Sequence, residues 1–150
     1  MATEVEQILA GVGSVLLVDW PSRDVPDTLA GAGYAVFVKG GPEPDNYAAH
    51  EMSDGQVVVR QVGRPPEHVD LVYSHRPLGE LPGIVATAVE LGAGAVWWQS
   101  GMTGADVKDP KGCWVEEDAS RAAREIVESA GLEYVDDVYL ADAVRLLGGR

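Results

Sequence analysis

Ser14-Val-Leu-Leu-Val-Asp19 is the stretch whose reading decides the fold. Its apolar run does not alternate with polar residues, the mark of a strand buried on both faces, and such strands belong to parallel sheets. The next residues repeat that theme. Trp20-Pro-Ser-Arg23 is a turn, Pro26 opens a short helix carrying Leu29 and Ala30, and Gly33 stands where a C-terminal glycine cap belongs. Tyr34 to Val38 is then a second strand. Upstream, Thr3 and Glu6 make a capping box for a short leading helix with Val5, Ile8, Leu9 and Val12 at helical spacing.

The alternation continues to the end of the chain. Residues 40–56 are polar and rich in Gly and Pro, and read as a long mobile connection to a third strand, Gln56 to Val62, at the edge of the sheet, ended by Pro65 and Pro66. His68 to Tyr73 is a fourth strand. After Pro77 a helix runs to about Leu91, with Ile84, Val85, Ala88 and Leu91 on one face and Gly92 as its stop. Ala95 to Gln99 is a fifth strand, and a loop from Ser100 to Trp114 leads to an acid-started helix from about Glu116 to Ala130. Its inward face carries Ala119, Ala122, Ala123, Ile126 and Val127. Leu132 to Val135 is a sixth strand and Leu140 to Leu147 a closing helix. Strands alternating with helices predict a doubly wound, mostly parallel α/β sheet of five to six strands, a Rossmann-like fold. Without a linker, repeat or low-complexity tract, residues 1–150 are expected to form one domain.

Charge narrows the partners. Eleven Lys and Arg against 24 Asp and Glu give a formal charge of -13, which repels nucleic acid and anionic membranes and requires any anionic ligand to be held by local cations. The lone Cys113 permits no internal disulfide and fits a reducing compartment. The acidic start is unlike a secretory signal, and no stretch approaches the roughly eighteen apolar residues of a membrane span, so a soluble cytoplasmic protein is expected.

In open parallel sheets ligands sit beyond the carboxyl ends of the strands. Those ends read Asp19-Trp-Pro-Ser-Arg23, Val38-Lys-Gly-Gly-Pro42, Ser74-His-Arg-Pro77 and Gln99-Ser-Gly-Met102. Three of the eleven cations, Arg23, Lys39 and Arg76, thus fall on the ligand edge, where each suits charge-assisted hydrogen bonds to phosphate. A nicotinamide dinucleotide fits less well. The only Gly-x-Gly, Gly11-Val-Gly13, precedes the first strand instead of following it, and no acid ends the second strand to hold a ribose hydroxyl. Lys39 in that region suits a ribose bearing an extra phosphate, as in NADP or coenzyme A. Ser100, His75 and an aspartate do not make a hydrolase triad, because Gln-Ser-Gly is not a nucleophile elbow. His50, His68 and His75 lack metal-ligand spacing, and Cys113 near Lys111 reads as an idle or buried thiol. Trp97 and Trp98 point to opposite faces of their strand and read as core, whereas Trp20 and Trp114 lie in loops where an aromatic can stack on adenine or cover the crevice.

Lys39-Gly-Gly-Pro42, the stretch Val-Asp-Leu-Val-Tyr-Ser-His-Arg-Pro at 69–77, Glu-Leu-Gly-Ala-Gly at 90–94 and Ala-Val-Trp-Trp-Gln-Ser-Gly at 95–101 resemble the small bacterial CoA-binding protein family. Its fold is similar to the nucleotide-binding domain of the succinyl-CoA synthetase alpha subunit. The resemblance spans about residues 14 to 140. It implies that Trp20, Ser22 and Arg23 lie in the loop meeting the pyrophosphate and that Lys39, Gly40, Gly41 and Pro42 flank an adenosine with its 3′-phosphate. His75, Arg76, Pro77, Gln99, Ser100 and Gly101 would line the crevice. The chain departs from the family where a small Gly-Ala-Ser type turn is usual and Asp19 and Trp20 stand instead. It departs again where an Asp-Arg-Cys run gives way to Asp136-Asp-Val-Tyr139.

The resulting expectation is a non-catalytic module binding coenzyme A or an acyl-CoA, a small anionic nucleotide ligand, at the strand ends. Succinyl-CoA synthetase chemistry would need a phosphorylated histidine on a further domain. The alternatives are a Rossmann-like interaction or regulatory protein with a decayed cofactor site and, less favoured, a small NADP-dependent reductase, for which no Tyr-x-x-x-Lys pair is visible. A homodimer or an unknown protein partner is left open.

Overall fold

The computed structural model describes residues 4–19, 23–40, 43, 45–99, 102–104, 107–108, 117–136 and 138–147. In chain order they form α1 (Glu4–Ala10), β1 (Ser14–Val18), α2 (Asp24–Gly31), β2 (Ala35–Lys39), β3 (Tyr47–Ser53), β4 (Gln56–Gln61) and β5 (Leu71–Ser74). A 3-10 turn (Leu78–Glu80) runs into α3 (Leu81–Glu90), followed by β6 (Ala95–Trp98), β7 (Met102–Gly104), β8 (Val107–Lys108), α4 (Glu117–Ser129), β9 (Glu133–Val135) and α5 (Leu140–Leu146).

Seven strands join in the order β4-β3-β2-β1-β5-β6-β9, with β2, β1, β5, β6 and β9 parallel. From β1 the chain passes through α2 to β2 on one side, then returns to lay β5 on the other side of β1. The strand order therefore reverses at β1, and the crevice of a doubly wound sheet opens between the carboxyl ends of β1 and β5. The non-alternating strands are buried as their composition demands: Val15, Leu16 and Leu17 are fully enclosed, as are Leu71, Val72 and Tyr73. Successive side chains feed two cores. Val15, Leu17, Tyr73 and Trp97 pack with Leu9 of α1, Val25 and Leu29 of α2 and Leu140 and Val144 of α5. Leu16, Val72, Val96 and Trp98 pack with Leu81, Ile84 and Val85 of α3 and Ala123 and Val127 of α4. The two tryptophans thus serve opposite cores, in line with the alternation of their strand.

The connection expected over residues 40–56 is corrected by the structure. Residues 47–53 within it form β3, which pairs antiparallel with β2 and with β4. Tyr47, Ala48, Ala49 and His50 are buried there, so the strand is held by packing and by hydrogen bonds on both sides. The hairpin between β3 and β4 turns on Asp54 (φ 53°) and Gly55 (φ 79°), two successive left-handed residues of the kind that match the strand twist. With β3 counted, the sheet has seven strands instead of five to six, and β4 takes the edge position expected for residues 56–62. A second difference is small: β7 and β8, within the expected loop after Ser100, form a separate antiparallel ladder. The capping residue expected for α1, Thr3, lies outside the described residues, as do Lys111, Cys113 and Trp114.

Candidate functional site

Register brings the strand ends level. Val18, the last residue of β1, lies beside Lys39 of β2 on one side and beside Ser74 of β5 on the other, and Ser74 in turn lies beside Trp98 of β6. Lys39, Asp19 and the Ser74-His-Arg-Pro77 turn are therefore neighbours across about 10 Å of sheet edge, two strand spacings.

The turn after β5 is fixed from below. The Arg76 backbone N–H donates to Ser74 Oγ at 3.2 Å, and the Trp98 indole N–H donates to the Arg76 carbonyl at 2.7 Å. Ser74 and Trp98 are both buried, so Arg76 leaves a rigid platform. The His75 backbone N–H donates to the Val18 carbonyl at 3.1 Å, which extends the β1–β5 ladder by one bond. The Arg76 guanidinium then meets two carboxylates. Nε and Nη2 donate to Glu80, at 3.1 Å and 2.7 Å, while Nη1 donates to Asp19 Oδ2 at 3.2 Å. Both carboxylates raise the Arg76 pKa, Glu80 more than Asp19, so its charge is permanent.

Beside this pair, on the face carrying α3, lies a cleft of ≈ 390 Å³ bounded by Leu16, Val18, Lys39, Tyr47, Gly79, Glu80, Gly83, Ile84 and Thr87. Its size is in the range of small-ligand pockets. Two features open it. Gly79 and Gly83 lie one helical turn apart, and a Cβ on either would meet nothing within 4 Å. Tyr47 supplies an aromatic wall with the Lys39 ammonium 5.2 Å from its ring centre, and Lys39 Nζ also donates to the Glu43 carbonyl at 2.6 Å. The Tyr47 phenol is raised in pKa by burial and by Glu90 and stays neutral at physiological pH. A larger cleft of ≈ 640 Å³ opens at the opposite, amino-terminal edge between Glu6, Leu9, Tyr34 and Asp70. There Asp70 is already satisfied by the backbone N–H groups of Gly13 and Ser14 at 2.8 and 3.2 Å and by His68 at 2.8 Å.

The sequence-derived residues divide accordingly. Lys39, Gly40, His75, Arg76 and Pro77 gather at the carboxyl ends of β1, β2 and β5. Arg23 stands at the start of α2, pairs with Asp27 at 3.1 Å and is not among the described residues lining the α3-side cleft. Gln99 directly follows β6 but is fully buried, and its amide nitrogen donates inward to the Val138 carbonyl at 2.9 Å. Trp20, Ser22, Gly41, Pro42, Ser100 and Gly101 lie outside the described residues. Sequence reasoning missed Tyr47, Glu80, Gly79 and Gly83. The Asp54-Gly55 turn signal could have revealed β3 and with it Tyr47; the two glycines carry no local signal, because only the packed helix shows which side they face.

Among the described residues no group of three or more His, Cys, Asp or Glu is arranged for a metal ion, and no helix is long and apolar enough to cross a membrane. A family model described as a CoA binding domain matches residues 9–141. Among solved structures, the chain is similar to Prb, a protein redesigned for binding, at 19% identity over 99% of this chain and 96% of that one, with a TM-score of 0.58. It is also similar to the cell-free ID.343 protein from Thermus thermophilus, at 22% identity over 96% of each chain, with a TM-score of 0.56. Both likenesses are of fold. No curated protein matches the chain.

Proposed function

Because the chain belongs to the CoA binding domain family, we propose that it is a non-catalytic module that holds coenzyme A or an acyl-CoA at the carboxyl ends of the parallel strands. The observation that carries the reading is the cleft between Lys39, Tyr47 and α3. It offers a flat aromatic wall, a glycine-lined opposite side and a cation, the three things an adenine with a phosphorylated ribose would use. The β1–β5 crevice beside it, with Arg76 on its rim, is where a pyrophosphate would bind next. In a chain of formal charge -13, these are local cations set against a repulsive background. A cytoplasmic location and a single domain over the whole chain belong to the same reading.

Titration calorimetry with CoA, acetyl-CoA and NADPH tests it. CoA is expected to bind, and more tightly than NADPH. Lys39→Ala is expected to weaken CoA at least several-fold, since a hydrogen bond to a charged group is worth about 1.5–3 kcal/mol. Gly83→Ala separates site from fold. It adds a methyl into open space and removes a helical glycine, so thermal stability should hold or rise by up to about 1 kcal/mol while CoA affinity falls. No heat and no thermal shift with CoA at about millimolar concentration, the weak end of specific affinity, would sink the reading.

A further inference from the structure

Asp19 is the first residue after β1 and stands at the point where the strand order reverses. It has a backbone φ of 66°, one of two positive values found for non-glycine residues among the described residues; the other, Asp54, is explained by its hairpin turn. A side-chain-bearing residue keeps such a conformation only where its surroundings hold it. Here the Arg76 guanidinium is one such hold, at 3.2 Å from Asp19 Oδ2.

A planar guanidinium offers two edges for bidentate contact with carboxylate or phosphate. Glu80, four residues on, takes the edge made by Nε and Nη2. The remaining edge is the one a ligand's phosphate would use, and Asp19 stands on its Nη1. The three residues together carry a net charge of one negative unit, so a phosphate reaching Arg76 with Asp19 in place meets repulsion. Ser74 and Trp98 pin the Arg76 backbone. Both carboxylates are about half exposed, but Glu80 holds Nε and Nη2 through both of its oxygens whereas Asp19 makes a single contact to Nη1, so Asp19 is the partner a phosphate displaces more readily.

We propose that Asp19 is a specificity-determining residue that competes with a ligand's pyrophosphate for Arg76. The inference rests on the proposed binding of CoA at the strand ends. Asp19 holds affinity for pyrophosphate-bearing ligands below what the cations of the site would otherwise support, and it penalises ligands that cannot compensate elsewhere in the cleft.

The test compares wild type with Asp19→Asn, which keeps the shape and the tolerance for a left-handed backbone while removing the charge, and with Asp19→Gly, which also removes the backbone strain. CoA and inorganic pyrophosphate are titrated into each by calorimetry, after thermal melts show that each variant folds. Both variants are expected to bind CoA about fivefold or more tightly than wild type, the order of one exposed charge contact, with pyrophosphate moving in the same direction. The gain should vanish when Arg76→Ala is added. If wild type binds CoA and neither variant binds it more tightly, the inference falls and the binding reading stands. Weaker binding by the variants would likewise overturn it, since Asp19 would then be positioning Arg76 for the ligand. Binding by the variants alone supports the inference and confines the wild-type reading to a silenced site. If no form binds either probe, both fall.

Discussion

His50 is buried on β3, and enclosure first, then the Arg23 guanidinium, hold its pKa below the ordinary 6.5, against a smaller opposite pull from Asp27. A histidine depressed in this way is neutral in the fold, so as the pH drops the unfolded chain takes up the proton first. The stability tied to His50 is complete above 6.5 and is lost as the pH falls from there toward the depressed value. His50→Gln should therefore flatten the decline in Tm between pH ~7.5 and ~5.5, measured by thermal melts. An unchanged slope would count against this assignment. Asp24, held below the ordinary 3.8 chiefly by Arg145, and Asp70, held down chiefly by the Gly13 N–H, contribute above that value. Their share is lost only as the pH falls below that value, whereas the loss tied to His50 begins already below 6.5. None of these burials or pairings could be read from the residues alone; a histidine in a stretch rich in Gly and Pro gives no sign of being enclosed.

At the scale of elements, the structure ties β6 to the start of α5. Trp97 Nε1 and Gln99 Nε2 both donate to the Val138 carbonyl, at 2.7 and 2.9 Å, and Tyr139 and Leu140 are buried immediately after it. Two donors, one in β6 and one just beyond its end, thus hold the connection between β9 and α5. Trp97→Phe removes one donor and part of a fully buried ring, and is expected to cost about 2 kcal/mol in urea unfolding. Amide hydrogen exchange should quicken in α5 specifically, because the helix loses its anchor. Equal exchange across all helices would show that the contact is not local to α5. The helix stops were legible beforehand: Gly33, Gly92 and Gly131 each come just after a helix, with φ of 98°, 76° and 83°. The strand β3 was not legible from its own residues, because Tyr47-Ala-Ala-His-Glu-Met-Ser53 carries neither strict alternation nor a β-branched run; only the Asp54-Gly55 turn that follows it signals a hairpin. It is a strand because β2 and β4 supply partners on both sides. β4 itself is legible as an edge strand, with Val58 and Val59 42% and 49% exposed.

At the scale of the whole molecule, 24 acids against 11 bases leave an excess of 13 negative charges whose mutual repulsion opposes the compact state. The ion pairs on the surface, such as Arg60 with Glu51 and Arg124 with Glu128, are exposed and screened by solvent, so each offsets little of that repulsion. Raising ionic strength from about 0.01 M to about 0.15 M should therefore raise Tm, because screening relieves more repulsion than attraction. A fall in Tm would mean that the local pairs dominate. Periodicity, glycine stops and strand-end motifs are local properties of the chain. From them come the alternation of buried strands and helices, the doubly wound class, the family and the gathering of Lys39 and Arg76 at one edge of the sheet. Packing in three dimensions accounts for the rest: that β3 exists, that Arg23 turns to Asp27 instead of the cleft, and that Arg76 is shared between Glu80 and Asp19. The pairing of Arg76 with Asp19 joins residues 57 apart, and a contact made by folding has no trace in the neighbours of either residue.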